Sequence, residues 1–143
     1  MNFGFSEEQE FLRTTAREFL AKESPMSAVR ELMDDPRGYK PDVWAKMAEL
    51  GWLGLLLPEE YGGAGLDLVA AGLVLQGFAR WNHAMALSWV AHDNLCANNI
   101  YRNGSEEQRR RYLPDLCAGR KIGALGLTEP GAGSDALGSM RTT

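Results

Sequence analysis

The chain has 143 residues, ordinary apolar content and a formal net charge of −4, so it is long enough for one buried core and is not a candidate for disorder. Its 15 basic against 19 acidic side chains argue against nucleic acid or an anionic membrane as a partner. No apolar run approaches the roughly 20 residues of a membrane span, and the first residues lack the basic and apolar regions of a secretory leader.

Ser6-Glu-Glu-Gln9 is a capping box, in which hydroxyl and amide each reach the other residue's backbone N–H. Leu12, Ala16, Phe19 and Leu20 then recur at helical spacing, predicting a helix to about Lys22. Pro25 and the Asp34-to-Gly38 cluster mark loops around a short helical piece at Ala28 to Met33. Pro41 suits the first position of another helix, with Val43, Trp44, Met47 and Ala48 as its apolar face and Gly51 as its stop. Leu53 to Leu57 predicts a short buried segment closed by Pro58.

The glycine cluster Gly62-Gly-Ala-Gly65 lacks the G-x-G-x-x-G spacing of a dinucleotide loop and reads as a turn entering a helix. From Leu66 to Trp81 the chain is apolar on nearly all sides, which predicts the most buried helix, with Gly72 and Gly77 allowing close neighbours. A further helix is expected from Ala84 to Tyr101, ended by Gly104. Ser105-Glu-Glu-Gln108 repeats the capping box for a last helix ending near Gly119, which Pro114 should kink or shorten. The triple Arg109-Arg-Arg111 lies one turn from Glu106 and Glu107 and reads as a solvated face. His83 and His92 have no companion at metal-ligand spacing, and His92 reads as buried or capping. Cys96 and Cys117 read as free or buried thiols in a reducing compartment, and a cytoplasmic location is expected.

Ile122 to Leu127 reads as the one strand, followed by a loop dense in small and hydroxyl residues, Gly126-Leu-Thr-Glu-Pro-Gly-Ala-Gly-Ser-Asp-Ala-Leu-Gly138. Such a loop lets backbone N–H groups and the hydroxyls of Thr128 and Ser134 approach a bulky polar ligand. Gly131 and Gly133 are expected to supply positive φ, and Pro130 to stiffen the turn. A lone strand cannot stand without partners for its N–H and C=O rows.

The run Leu127-Thr-Glu-Pro-Gly-Ala-Gly-Ser-Asp135 resembles the first signature of the acyl-CoA dehydrogenase family, flavoproteins that oxidise acyl-CoA thioesters. The likeness continues through Phe5-Ser-Glu-Glu-Gln9, Leu50-Gly-Trp-Leu-Gly54, Pro58-Glu-Glu-Tyr-Gly-Gly-Ala-Gly65, Gly104-Ser-Glu-Glu-Gln108, Tyr112-Leu-Pro114 and Ile122-Gly-Ala124. Ala91-His-Asp-Asn-Leu-Cys96 is similar to the branched-chain, isovaleryl-type branch. The resemblance implies a mainly α fold: an N-terminal helical domain over residues 1–120, then the first strand of a β domain over 121–143.

The same resemblance implies FAD as cofactor. The backbone of Leu125, Gly126, Leu127 and Thr128 would face the flavin ring, the Thr128 hydroxyl and N–H would bond its pyrimidine edge, and Gly133 and Ser134 would approach the pyrophosphate and the CoA portion. Position 125 departs from members with tyrosine there. Ser88, Ala91 and Leu95 match the helix that lines the acyl pocket. The α-proton base would be a carboxylate from a C-terminal bundle, so no catalytic residue is expected in this chain and Glu129 reads as a loop anchor, as does Asp135. Acyl-CoA as substrate, an electron-transfer flavoprotein or similar acceptor, and a homo-dimer or tetramer are the implied partners. Two other readings remain open: an oxygen-using oxidase or monooxygenase of the same superfamily, and a non-catalytic helical module or split subunit.

Overall fold

The computed structural model describes residues 4–136 and 138–142; Leu137, inside the predicted ligand loop, lies outside the described residues. In chain order the helices are α1 (Glu7–Glu23), α2 (Met26–Leu32), α3 (Pro41–Glu49), α4 (Leu68–Trp81), α5 (His83–Val90), α6 (Asn98–Asn103) and α7 (Glu106–Cys117). Short 3-10 turns at Trp52–Gly54 and Glu59–Tyr61 join α3 to α4, and a π-helical segment, Ala91–Ala97, joins α5 to α6.

Both capping boxes form. Ser6 Oγ accepts the Gln9 N–H at 3.2 Å while Gln9 Oε1 accepts the Ser6 N–H at 3.0 Å. Ser105 and Gln108 make the same reciprocal pair at 3.3 and 2.8 Å. Pro41 opens α3, and Gly51, at φ 74°, turns the chain out of it. Pro114 does not end α7, which continues to Cys117. The missing N–H would have reached the carbonyl of exposed Arg110, which water can serve, so the ladder loses little.

The main core joins α1, α3, α4, α5 and the first 3-10 turn through Leu20, Trp44, Met47, Trp52, Val74, Phe78 and Trp89. Trp52 meets Phe78 edge-on at 5.4 Å and Phe78 meets Trp89 at 5.7 Å, the tilted geometry that aromatic quadrupoles favour. Trp89 also donates its Nε1–H to the Trp52 carbonyl at 2.6 Å. A second cluster of Leu57, Tyr61, Ala97, Leu113, Leu116 and Cys117 packs α7 against the π segment and the second turn.

The α4 expectation needs correction. Gly77 does lie against α1, where a Cβ would sit 3.0 Å from that of Ala16. Yet Leu68, Val69, Gly72, Gln76 and Arg80 form one exposed face, so α4 is not buried all round. Gln76 and Arg80, spaced four apart from Gly72, were the polar signal that apolar content overrode. The strand expectation also changes. Among the described residues no strand forms, and the only β-bridge is Glu129 with Ala132. Residues 122–128 run without a neighbouring strand, because ladder hydrogen bonds need a second strand beside them.

Candidate functional site

The π segment brings two polar side chains into the interior. His92 is fully buried; its Nδ1 accepts the Gly123 N–H at 2.9 Å, and its Nε2 lies 3.2 Å from the Leu116 carbonyl. That pairing places the ring proton on Nε2. Burial pushes the imidazole below its usual range, against backbone hydrogen bonds that favour the charged form. Asp93, also fully buried, accepts the Leu55 N–H through Oδ1 at 3.0 Å, while Oδ2 has no partner. Burial raises this carboxyl to about 7, partly opposed by the Leu55 N–H. The sequence predicts His92 as buried or capping, and the structure buries it; Asp93 is not evident from sequence, its available signal being a carboxylate next to that histidine.

Beyond Gly123 the chain lies open. Leu125 and Leu127 are 42% and 48% exposed, and Gly126 and Thr128 are exposed beside them. Among the described residues, none of the backbone N–H groups from Ala124 to Thr128 finds an internal acceptor. The following turn is closed by reciprocal backbone bonds of Glu129 and Ala132, at 3.0 and 3.1 Å. Gly131 and Gly133 do not adopt positive φ, contrary to expectation, since this turn closes without a left-handed residue. A Cβ added at Gly126, Gly131 or Gly133 would meet nothing within 4 Å. The protein itself therefore gives no steric reason for glycine at these three positions, while an incoming group would benefit from the space.

The two loop carboxylates are occupied. Glu129 accepts the N–H groups of Arg141 and Thr142, both at 2.9 Å. The Thr142 hydroxyl and these two amides hold its carboxyl below the usual carboxylate range. Asp135 accepts the Gly138 N–H at 3.0 Å and a short bond from the Ser139 hydroxyl.

The predicted residues fall into three places. Leu125 to Thr128 form one exposed strip, and Gly133 and Ser134 follow the turn, also exposed. Ser88 is exposed on α5, its hydroxyl donating to the Ala84 carbonyl at 2.9 Å. It shares a groove of about 340 Å³ with Tyr39, Trp44, Met85 and Ile122, the residue that starts the open strip. Ala91 is half-buried and Leu95 is 39% exposed on the π segment, which touches the strip at Gly123.

A strip of free donors between two leucines suits a flat aromatic ring with polar edges, and the uncluttered glycines suit a phosphate-bearing tail. The chemistry of the residues present thus fits a flavin dinucleotide. Fold and strip together define a helical domain with an open, donor-bearing extension.

The model of the acyl-CoA dehydrogenase N-terminal domain matches residues 6–120. Mitochondrial isovaleryl-CoA dehydrogenase of Bos taurus is 41% identical over 136 residues, covering 94% of this chain and 32% of its own length. A solved acyl-CoA dehydrogenase of Bacillus anthracis, complexed with FAD, superimposes with a TM-score of 0.86 at 38% identity, over 94% of this chain and 23% of that one. Butyryl-CoA dehydrogenase of Megasphaera elsdenii gives 0.81 at 32% identity, over 95% and 36%. The chain therefore belongs to the acyl-CoA dehydrogenase family, through its N-terminal helical domain. It spans about a third of the length of the curated relatives it matches.

Proposed function

We propose that this chain is the N-terminal part of an FAD-dependent acyl-CoA dehydrogenase, with residues 121–143 opening its β domain. The observation that carries the reading is the strip of unpaired N–H groups from Ala124 to Thr128 within a chain of this family. FAD, when bound, supplies the hydride acceptor for α,β-dehydrogenation of an acyl-CoA thioester. The strip holds the ring edge, and donors from the Thr128 N–H and hydroxyl favour negative charge there. Gly133 leaves room for the pyrophosphate, and the Ser134 hydroxyl stands next to it to bond the phosphate or the CoA portion. Ser88, Ala91 and Leu95 supply one wall of the acyl site, with Ala91 small enough to leave space.

The α-proton is taken by a carboxylate outside these residues, since Glu129 is already held by two backbone amides. Electrons leave to an electron-transfer flavoprotein or a similar carrier, and the complete enzyme is a homo-oligomer. The two unpaired thiols suit a cytoplasmic, reducing setting. No helix among the described residues is long and apolar enough to cross a membrane.

The test uses the complete protein loaded with FAD, without oxygen, and a set of straight and branched saturated acyl-CoA thioesters. At least one should bleach the flavin absorbance and yield the α,β-unsaturated thioester. A protein that holds FAD yet is bleached by none of them contradicts the proposal. The 143-residue chain alone should bleach nothing.

A further inference from the structure

The open strip has one hydrogen bond to the helical body among the described residues, from the Gly123 N–H to His92 Nδ1 at 2.9 Å. The imidazole at that anchor cannot swing. It is fully buried, its other nitrogen is engaged by the Leu116 carbonyl, and Trp44 stands edge-on to it at 5.0 Å. The same spot is locked sterically. A Cβ at Gly123 would fall 2.6 Å from Cys96 Sγ and 2.7 Å from Cys96 Cβ, so the backbone lies directly on the π segment. We propose that His92 is a positioning residue: by accepting the Gly123 N–H it sets the line along which Leu125 to Thr128 meet the flavin. The inference rests on the flavin reading of that strip.

Geometry explains why one bond matters. Thr128 lies five residues beyond Gly123, about 16 Å along extended backbone. A tilt of about 10° at the anchor would displace Thr128 by about 3 Å, more than a hydrogen bond tolerates. The anchor also joins two halves of the candidate site. On the π segment, His92 and Cys96 face the strip, while Ala91 and Leu95, one position earlier in each case, belong to the acyl wall. One irregular element thus sets both surfaces, a setting in which π turns recur.

The test compares His92→Asn and His92→Gln in the complete protein. The Asn amide sits near the place of Nδ1 and can still accept the Gly123 N–H. The Gln amide reaches the place of Nε2 and can serve Leu116, but leaves Gly123 without an acceptor. Three quantities are read: hydrogen exchange at the Gly123 amide, FAD affinity, and thermal stability without FAD. Both variants should lose comparable stability. His92→Asn should keep Gly123 protected and bind FAD within about threefold of the unmodified protein. His92→Gln should speed Gly123 exchange and weaken FAD binding, each about tenfold, the usual scale for one lost hydrogen bond. Equal FAD affinities of the two variants would overturn the inference while leaving the flavin reading intact. An unmodified protein that binds no FAD would overturn both. Without any variant, fast exchange of the Gly123 amide in the FAD-free protein would also sink the clamp.

Discussion

Two glycine-rich loops of this chain put the same residue to opposite use. In the first, residues 62–65, the backbone folds back on the preceding turn: Gly63, Ala64, Gly65 and Leu66 donate to the carbonyls of Pro58, Gly54, Leu57 and Leu55 at 2.8–3.1 Å. Gly63 is glycine because a Cβ there would lie 2.1 Å from the Leu57 carbonyl oxygen. In the second loop, Gly126, Gly131 and Gly133 face open space, and the strip before the turn keeps its donors unspent. Glycine content alone cannot separate an internally closed turn from an open one. What separates them is where the N–H groups go.

The closed side of this comparison has one weak point, and it predicts the largest effect. Asp93 serves Leu55 of the first loop's scaffold but leaves Oδ2 bare in the core. Its carboxyl titrates at about 7 when folded, against a usual 3.8. A raised value means that its favourable contribution is complete below pH about 4 and is lost as pH rises through about 7. Asp93→Asn should therefore stabilise the complete protein at pH 8 by as much as about 4 kcal/mol, and by almost nothing at pH 4, as measured by denaturant unfolding. His92 acts oppositely: its lowered value costs stability as pH falls below about 6.5. The Asn variant should then show only this acid-side loss between pH 7 and 5. A pH-independent difference between Asp93→Asn and the unmodified protein would refute this account of the core.

Gly63→Ala should destabilise by about 3 kcal/mol or more, because the added methyl meets backbone that cannot step aside. Gly133→Ala should shift unfolding by no more than about 0.5 kcal/mol, since nothing surrounds the new methyl, yet FAD binding should weaken. If the two alanines cost the same stability, the distinction between the loops fails. Between these two, Ser105→Ala should remove about 1 kcal/mol through loss of the α7 cap, without touching FAD affinity.

Local rules were the most legible part of this molecule. Ser6, Ser105, Pro41 and Gly51 announced helix ends that the structure realises, because capping depends on residues three or four apart. What depended on distant partners was hidden. The helix expected from Ala84 to Tyr101 does run without a break from His83 to Asn103, but its π-helical middle, where His92 and Asp93 turn inward to Gly123, Leu116 and Leu55, was hidden. The exposed face of α4 escaped because apolar composition says how much surface seeks burial, not what covers it. That residues 124–128 form an open segment was legible from their small and hydroxyl residues, but its anchor at His92 was not, lying 31 residues away in sequence.

The most direct test of the open strip as a flavin-holding surface is an FAD titration of the complete protein against its Thr128→Val variant. Valine keeps the shape of threonine and deletes the hydroxyl; Thr128 is exposed, so stability should hold within about 0.5 kcal/mol. Loss of a donor to a charged ring edge should weaken binding, or slow flavin reduction, by about 10- to 100-fold, the backbone N–H remaining. Affinity and reduction rate both unchanged in a folded Thr128→Val protein would contradict the assignment of this strip to the flavin.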